Sequence, residues 1–250
     1  AGSRNVAAYC RQHAPATHVV WTGCEPTPAP GSSPAPGSTA PDTACEPGSV
    51  SPVSPPNQTR KPVVAWGATS FTRYNHEAQL VEQAIAQIAA QRPAGQRPVT
   101  LHIYGARKKR YAAPMAQRLR NAGAQVRVFP MLSYAAFLKR LRKAAVGLQV
   151  ISPEHAYAEG KSFGKVLAYL DADAAVVASS AVDHPLFFTH GRNGMLADPT
   201  PESWAHAITQ LLDDPAARGQ LVAQARQDFV ARLTAKAAAK QLDRVLRIAL

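Results

Sequence analysis

Val63-Val64-Ala65-Trp66-Gly67 is an apolar run too short for a helix and closed by a glycine. From about Asn75 a second pattern follows, with Leu80, Val81, Ala84, Ile85 and Ile88 on one face. The first pattern is that of a buried strand, the second that of an amphipathic helix. The pair then recurs. Val99 to Tyr104 is closed by Gly105 and followed by a helix to Asn121, with Gly123 as its stop signal. Gln125 to Phe129 precedes a helix from Tyr134 to Ala144; Gly147 to Ile151 precedes a helix from Ser162 to Ala172; Ala175 to Ala178 is a fifth strand. Three helices, near 201–213, 215–232 and 233–248, follow. Strands separated by single helices need right-handed crossovers, which predicts a Rossmann-like parallel sheet with helices on both faces, an α/β fold. Ligands of such sheets bind beyond the carboxyl ends of the strands. The turns at Gly67, Gly105, Ser152-Pro153 and Ser179-Ser180 are therefore candidate contacts.

Ahead of this unit the pattern is different. Residues 1–24 contain a short helix (Asn5 to Arg11) and a short apolar strand (His18 to Trp21), expected to be the remnant of a preceding domain. Residues 25–61 are rich in Pro, Ser, Gly, Thr and Ala, a composition that cannot bury a core, and read as a linker. Residues 62–250 form the α/β domain.

Charge and motifs narrow the functions. The net charge of +12 is concentrated at Arg107-Lys108-Lys109-Arg110 and at Lys139-Arg140 with Arg142-Lys143. These runs read equally as solvated helix faces or as a surface for an anionic membrane. Nucleic acid is not favoured, because no recognition motif or interleaved aromatics accompany them. No run of about 18 apolar residues and no leader-like apolar segment occur, which together with three cysteines in no metal or redox spacing suits a cytoplasmic protein, peripheral at most to the inner face of a membrane. The dinucleotide and NTP glycine signatures are absent, as is the hydrolase nucleophile elbow. Asp171-Ala172-Asp173 looks like a metal motif but falls at a helix exit and reads as a polar turn; no metal and no cofactor are expected. His102 sits in an apolar strand and reads as packed, while His184 falls in a loop on the ligand edge and is a weaker ligand candidate.

Glu159-Gly160-Lys161-Ser162-Phe163-Gly164-Lys165 combines what an anion needs. Gly160 and Gly164 allow close backbone approach, Ser162 is a good helix cap, Lys161 and Lys165 bring positive charge, and Phe163 anchors the turn in the core.

Ser152-Pro153, this segment with the following Val166-Leu167-Ala168-Tyr169-Leu170, and Val176-Val177-Ala178-Ser179 together resemble the signature of group 1 glycosyltransferases. The likeness continues through His190-Gly191-Arg192-Asn193-Gly194-Met195-Leu196, Asp198-Pro199, Trp204 and Leu211-Leu212-Asp213-Asp214-Pro215, covering roughly residues 62 to 250. The resemblance implies one half of a GT-B fold, the nucleotide-sugar-binding half. It implies transfer of a sugar from a UDP or GDP donor, with retained configuration and no metal, in a setting such as bacterial polysaccharide or glycan synthesis. The donor diphosphate would meet a basic residue after the first strand, for which Arg73 is the nearest match beside Gly67, and a lysine at Lys161 or Lys165. The base would lie against the turn at Phe129-Pro130. Glu159, or else Glu154, would be the first of the family's two carboxylates, so Glu159 and Lys165 are the catalytic candidates. The second carboxylate, which grips the ribose, is missing: its place falls on Ala168 or Tyr169. Asp173 and Ala175 likewise replace the family's Gly and Pro. A partner chain or an N-terminal domain would supply the acceptor side. The rival expectation is a non-catalytic module that binds a sugar nucleotide, a membrane or a partner.

Overall fold

The computed structural model describes residues 4–14, 17–21, 23–24, 26, 57–67, 75–93, 95–107, 109–152, 161 and 163–249. Their elements run α1 (Arg4–Arg11), β1 (Val63–Gly67), α2 (Asn75–Gln91), β2 (Thr100–Ala106), α3 (Lys109–Asn121), β3 (Gln125–Pro130), α4 (Tyr134–Leu141), β4 (Val146–Gln149) and α5 (Val166–Asp171). Then come β5 (Ala175–Ser179), α6 (His184–Phe187), β6 (Met195–Ala197), α7 (Pro201–Asp213), α8 (Pro215–Arg232) and α9 (Ala235–Ala249).

The six strands form one parallel sheet in the order β3-β2-β1-β4-β5-β6. The chain winds outward from β1 to β3, returns to the centre at β4, and winds the other way to β6. The crevice between the carboxyl ends of β1 and β4 is thus the switch point where ligands of such sheets enter. Strands β1, β4 and β5 are buried nearly throughout, which explains their unbroken apolar runs. On one face α2, α3 and α7 close a core around Val64, Leu101, Ile85 and Trp204; on the other, α4, α5 and α8 close a second around Ala65, Leu141, Tyr169 and Phe229.

Four local expectations are corrected. His18 to Trp21 is not a strand. The chain there passes the α8–α9 junction, where helices offer no strand edge; Trp21 packs edge-on against Phe163 with ring centroids 4.9 Å apart, and Cys24 exchanges backbone hydrogen bonds with Leu233 and Ala235. Helix α5 starts at Val166 rather than Ser162, because Gly164 takes φ +53, a left-handed conformation that no helix can run through. Helix α4 ends at Leu141, and Arg142 to Ala144 form a turn in its place. Met195 to Ala197, part of a matched motif but not expected as a strand, adds β6 on the outer edge of β5.

Asn57 to Lys61, the end of the stretch expected to be a linker, is built into the amino edge of the sheet. Asn57 Nδ2 donates to the carbonyls of Ala145 (3.1 Å) and Asp173 (2.6 Å), and Arg60 donates to those of Ala144 (3.1 Å) and Ala172 (2.8 Å). The buried Arg218 guanidinium donates to Asn57 Oδ1 at 2.7 Å and to the Leu211 carbonyl at 2.6 Å. These bonds reach carbonyls of the turns before β4 and β5, of which that of Ala145 also accepts from the Ala175 N–H at 3.0 Å.

Candidate functional site

Gly67 ends β1 at the switch point, and two side chains from the α5 region close over it. A Cβ built on Gly67 would lie 2.5 Å from Lys165 Cδ and 3.4 Å from the Tyr169 hydroxyl, so glycine is what allows Lys165 to lie across the strand end. Lys165 and Tyr169 are four residues apart and share one side of α5. The Tyr169 hydroxyl accepts from Gly67 N–H at 3.0 Å and donates to the Leu148 carbonyl at 3.1 Å, tying β1 to β4. Its ring fills the space above Gly147, where a Cβ would come within 2.5 Å of it. Burial pushes the Tyr169 phenol well above its ordinary range, so the hydroxyl remains protonated and able to donate.

Beside this point opens a groove of about 200 Å³. Its floor is Gly67, Gly105 and Lys165; its walls are Tyr104, Pro130, Met131, Tyr134 and Phe137. The register between β2 and β3 shifts after Ile103, with Gly105 at φ +97, before pairing resumes at Ala106 and Pro130, and this irregularity lies at the groove wall. Met131 and Tyr134 are more than half exposed, an apolar rim at the mouth of a polar edge. Burial, and then the neighbouring Lys161, hold the Lys165 ammonium below the ordinary lysine range. Among the described residues Lys165 has no ion-pair partner. A desolvated cation with no counter-charge among the described residues, at the floor of an open groove, is poised to receive an anion.

Of the residues singled out by sequence, Gly67, Pro130 and Lys165 meet at this groove. Lys161 acts on Lys165 through charge, and Gly164 turns the chain beside Gln149. Phe163 is buried against Trp21 and Phe187. Phe129 does not line the groove: it stacks on Tyr104 with centroids 4.9 Å apart and planes 12° from parallel. Arg73, Glu154, Glu159, Gly160 and Ser162 lie outside the described residues. Ala168 and Tyr169 are both buried, so neither points a side chain into solvent at the edge. His184 sits at the carboxyl end of β5, in a four-residue helix rather than a loop, and is fully buried with Nδ1 3.0 Å from the Ser179 carbonyl. Asp171 and Asp173 both face Arg226 at 3.8 Å, at the opposite end of the sheet from Gly67. No cluster of three metal-ligating side chains occurs among the described residues. Tyr104, Met131, Leu132, Tyr134 and Phe137 were not singled out by sequence; a Met-Leu pair directly after a strand was the one available signal.

Residues 74–244 match the family described as glycosyl transferase-like. The chain belongs to that glycosyl transferase-like family. No curated protein matches it. Among solved structures, sucrose-phosphate synthase from Thermosynechococcus elongatus superposes with a TM-score of 0.64 at 17% identity, covering 99% of this chain and 57% of that one. HepE from Anabaena, in complex with UDP, gives 0.58 at 18% identity over 76% and 50%. WaaG, a glycosyltransferase involved in lipopolysaccharide biosynthesis, gives 0.52 at 16% identity over 73% and 46%. The chain thus spans about half the length of these glycosyltransferase-fold structures, and its sheet is one half of a GT-B fold. No helix of the described residues is long and apolar enough to cross a membrane.

Proposed function

We propose that this glycosyltransferase domain binds a nucleoside-diphosphate sugar, with the diphosphate at Lys165 and the base against Pro130 and Met131. The observation that carries the reading is Lys165: a partly buried ammonium with no counter-ion among the described residues, laid across the glycine at the switch point and lining the same groove as the apolar rim. The site of a diphosphate needs a desolvated cation close to free backbone, and the site of a base needs a flat apolar wall one nucleoside away. Arg73, Gly160, Lys161 and Ser162 are assigned to the same diphosphate. The UDP-bound relative adds support by analogy of fold.

Transfer would retain configuration, with Glu159 near the sugar and Lys165 stabilising the charge that develops on the departing diphosphate, the strongest stabilisation such a site can supply. The acceptor would come to the open side of the groove, on a second domain or a partner chain. Action at the cytoplasmic face of a membrane fits the basic surface.

A second reading is a module that binds the donor but does not turn it over. It is favoured by α5, which offers no carboxylate for the ribose at Ala168 or Tyr169. Calorimetry with UDP and GDP on the whole chain and on Lys165→Ala tests the first reading. Binding of one nucleotide should be weakened at least about tenfold by the substitution, as expected for one charge-assisted contact. Equal affinity in both proteins removes Lys165 from the site, and donor hydrolysis assays then separate enzyme from module.

A further inference from the structure

A second groove lies on the other side of Tyr104. It has a volume of about 320 Å³ and is lined by His102 and Tyr104 of β2, and by Lys139, Arg140 and Lys143 of α4 and the turn after it. Arg127 of β3 pairs in register with His102 and adds a fourth cation to its neighbourhood. Among the described residues no acidic side chain lines this groove.

Elsewhere some of the described arginines meet a carboxylate. Arg92 meets Asp213, Arg118 meets Glu82, Arg192 meets Asp228, and Arg226 meets Asp171 and Asp173. Arg127, Lys139, Arg140 and Lys143 form no ion pair among the described residues. Four like charges around one concavity repel one another. Arg140 is also held in place: its guanidinium lies 4.4 Å from the centre of the Phe129 ring, and that ring is stacked on Tyr104. A cation fixed on an aromatic platform loses little freedom on meeting an anion, unlike a free surface lysine. His102 sits half-buried at the floor, its Nδ1 3.3 Å from the Tyr104 hydroxyl. Burial, then Arg127 and Arg140, keep its imidazole below the ordinary range and therefore neutral near pH 7. A neutral imidazole offers a hydrogen-bond donor, and its proton affinity rises when a dianion settles beside it.

We infer that the groove bounded by His102, Lys139, Arg140 and Lys143 is a second anion site, which takes a phosphomonoester dianion distinct from the donor diphosphate. Lys165 does not line it, and Tyr104 is the wall between the two grooves. The phosphate belongs either to a soluble ligand or to a lipid headgroup, and the chemistry of recognition is the same for both.

The test follows the His102 imidazole by NMR in the whole chain, with His102→Gln used to assign its resonance. Inorganic phosphate should shift the signal saturably and raise the His102 pKa, while chloride at equal ionic strength should not. The double variant Lys139→Ala, Lys143→Ala, both exposed positions, should weaken the phosphate effect at least about tenfold. Flotation with phosphatidic acid in phosphatidylcholine vesicles, lost in the same variant and competed by free phosphate, assigns the phosphate to a lipid. Saturable binding without vesicle uptake assigns it to a soluble ligand. A non-saturable shift that chloride reproduces, or one unchanged in the double variant, overturns the site. UDP should leave His102 unmoved, and Lys165→Ala should leave the phosphate effect intact. If instead UDP moves His102 and the lysine pair abolishes it, this groove holds the donor diphosphate, and both this site and the Lys165 assignment fall.

Discussion

The Tyr169 hydroxyl lies 3.0 Å from the backbone nitrogen of Gly67, 102 residues away, and accepts its hydrogen bond. Through its second bond, to the Leu148 carbonyl, it holds together the two strands whose ends form the ligand crevice. Tyr169→Phe keeps the ring above Gly147 but leaves the Gly67 N–H without its partner in a part-buried place. Loss of one such bond costs about 1–3 kcal/mol. Urea denaturation should show a loss in that range, and nucleotide affinity should fall as Gly67 loses its position. A variant as stable as the parent would mean that water replaces the hydroxyl and that the link between the strands is dispensable.

Gly67 itself separates position from stability. A Cβ there meets only the flexible Lys165 stem at 2.5 Å, which can swing aside, whereas the Tyr169 hydroxyl at 3.4 Å is in ordinary contact. Gly67→Ala should therefore leave the thermal midpoint within a few degrees of the parent, since a relieved clash costs well under about 1 kcal/mol. It should nonetheless weaken nucleotide binding as strongly as Lys165→Ala. Unchanged affinity would show that the lysine stem need not cross the strand end.

Much of the sheet was legible in the sequence, and the reasons for the exceptions are physical. Val63 to Gly67 and Ala175 to Ser179 are covered on both faces and so carry continuous apolar runs. Met195 to Ala197 is three residues long, below the length at which periodicity means anything. The start of α5 was misplaced because Ser162 offers good cap chemistry while the left-handed turn that decides the boundary is set by Gly164. Of the site, Gly67, Gly105 and Lys165 could be found from turn positions and charge, and Pro130 only through the family resemblance. The roles of Tyr169 and Gly147 could not, because they depend on a ring crossing between strands. Asn57 was hidden for a similar reason: it follows a proline-rich tract, and its partner Arg218 is 161 residues away.

That long-range bond gives a prediction about the domain boundary. Asn57→Ala strips one acceptor from a fully buried arginine and the donor from the carbonyls of Ala145 and Asp173. Breaking one partner of a buried charged hydrogen bond costs about 1.5–3 kcal/mol. A chain beginning at Asn57 should be more stable, by at least that amount, than one beginning at Pro62. Equal denaturation midpoints for the two would place the boundary at Pro62 and make the turn an ornament.

His184 gives stability a pH dependence whose sign can be worked out. The Ser179 carbonyl at 3.0 Å can only accept, so Nδ1 carries the hydrogen and Nε2 is left bare, buried and without a partner. Protonating Nε2 would bury an unpaired N–H and a charge, so burial lowers the pKa from 6.5 to about 4, against the opposing pull of the Ser179 bond and Asp183. Above pH 6.5 neither the folded nor the unfolded chain carries this proton, and the stability is complete. As pH falls from there towards 4, the unfolded chain takes up a proton that the folded chain refuses, and stability drops by up to about 3 kcal/mol. Asp173, whose pKa burial raises, works in the opposite direction, so the wild-type slope alone is not diagnostic. The comparison that isolates His184 is with His184→Asn, whose amide can keep the bond to Ser179 but cannot titrate. Urea midpoints at pH 7.5 and 4.5 should differ more for the wild type than for the variant. Parallel slopes for the two proteins would mean that water or a side-chain rearrangement satisfies Nε2, and that His184 titrates as it would in the unfolded chain.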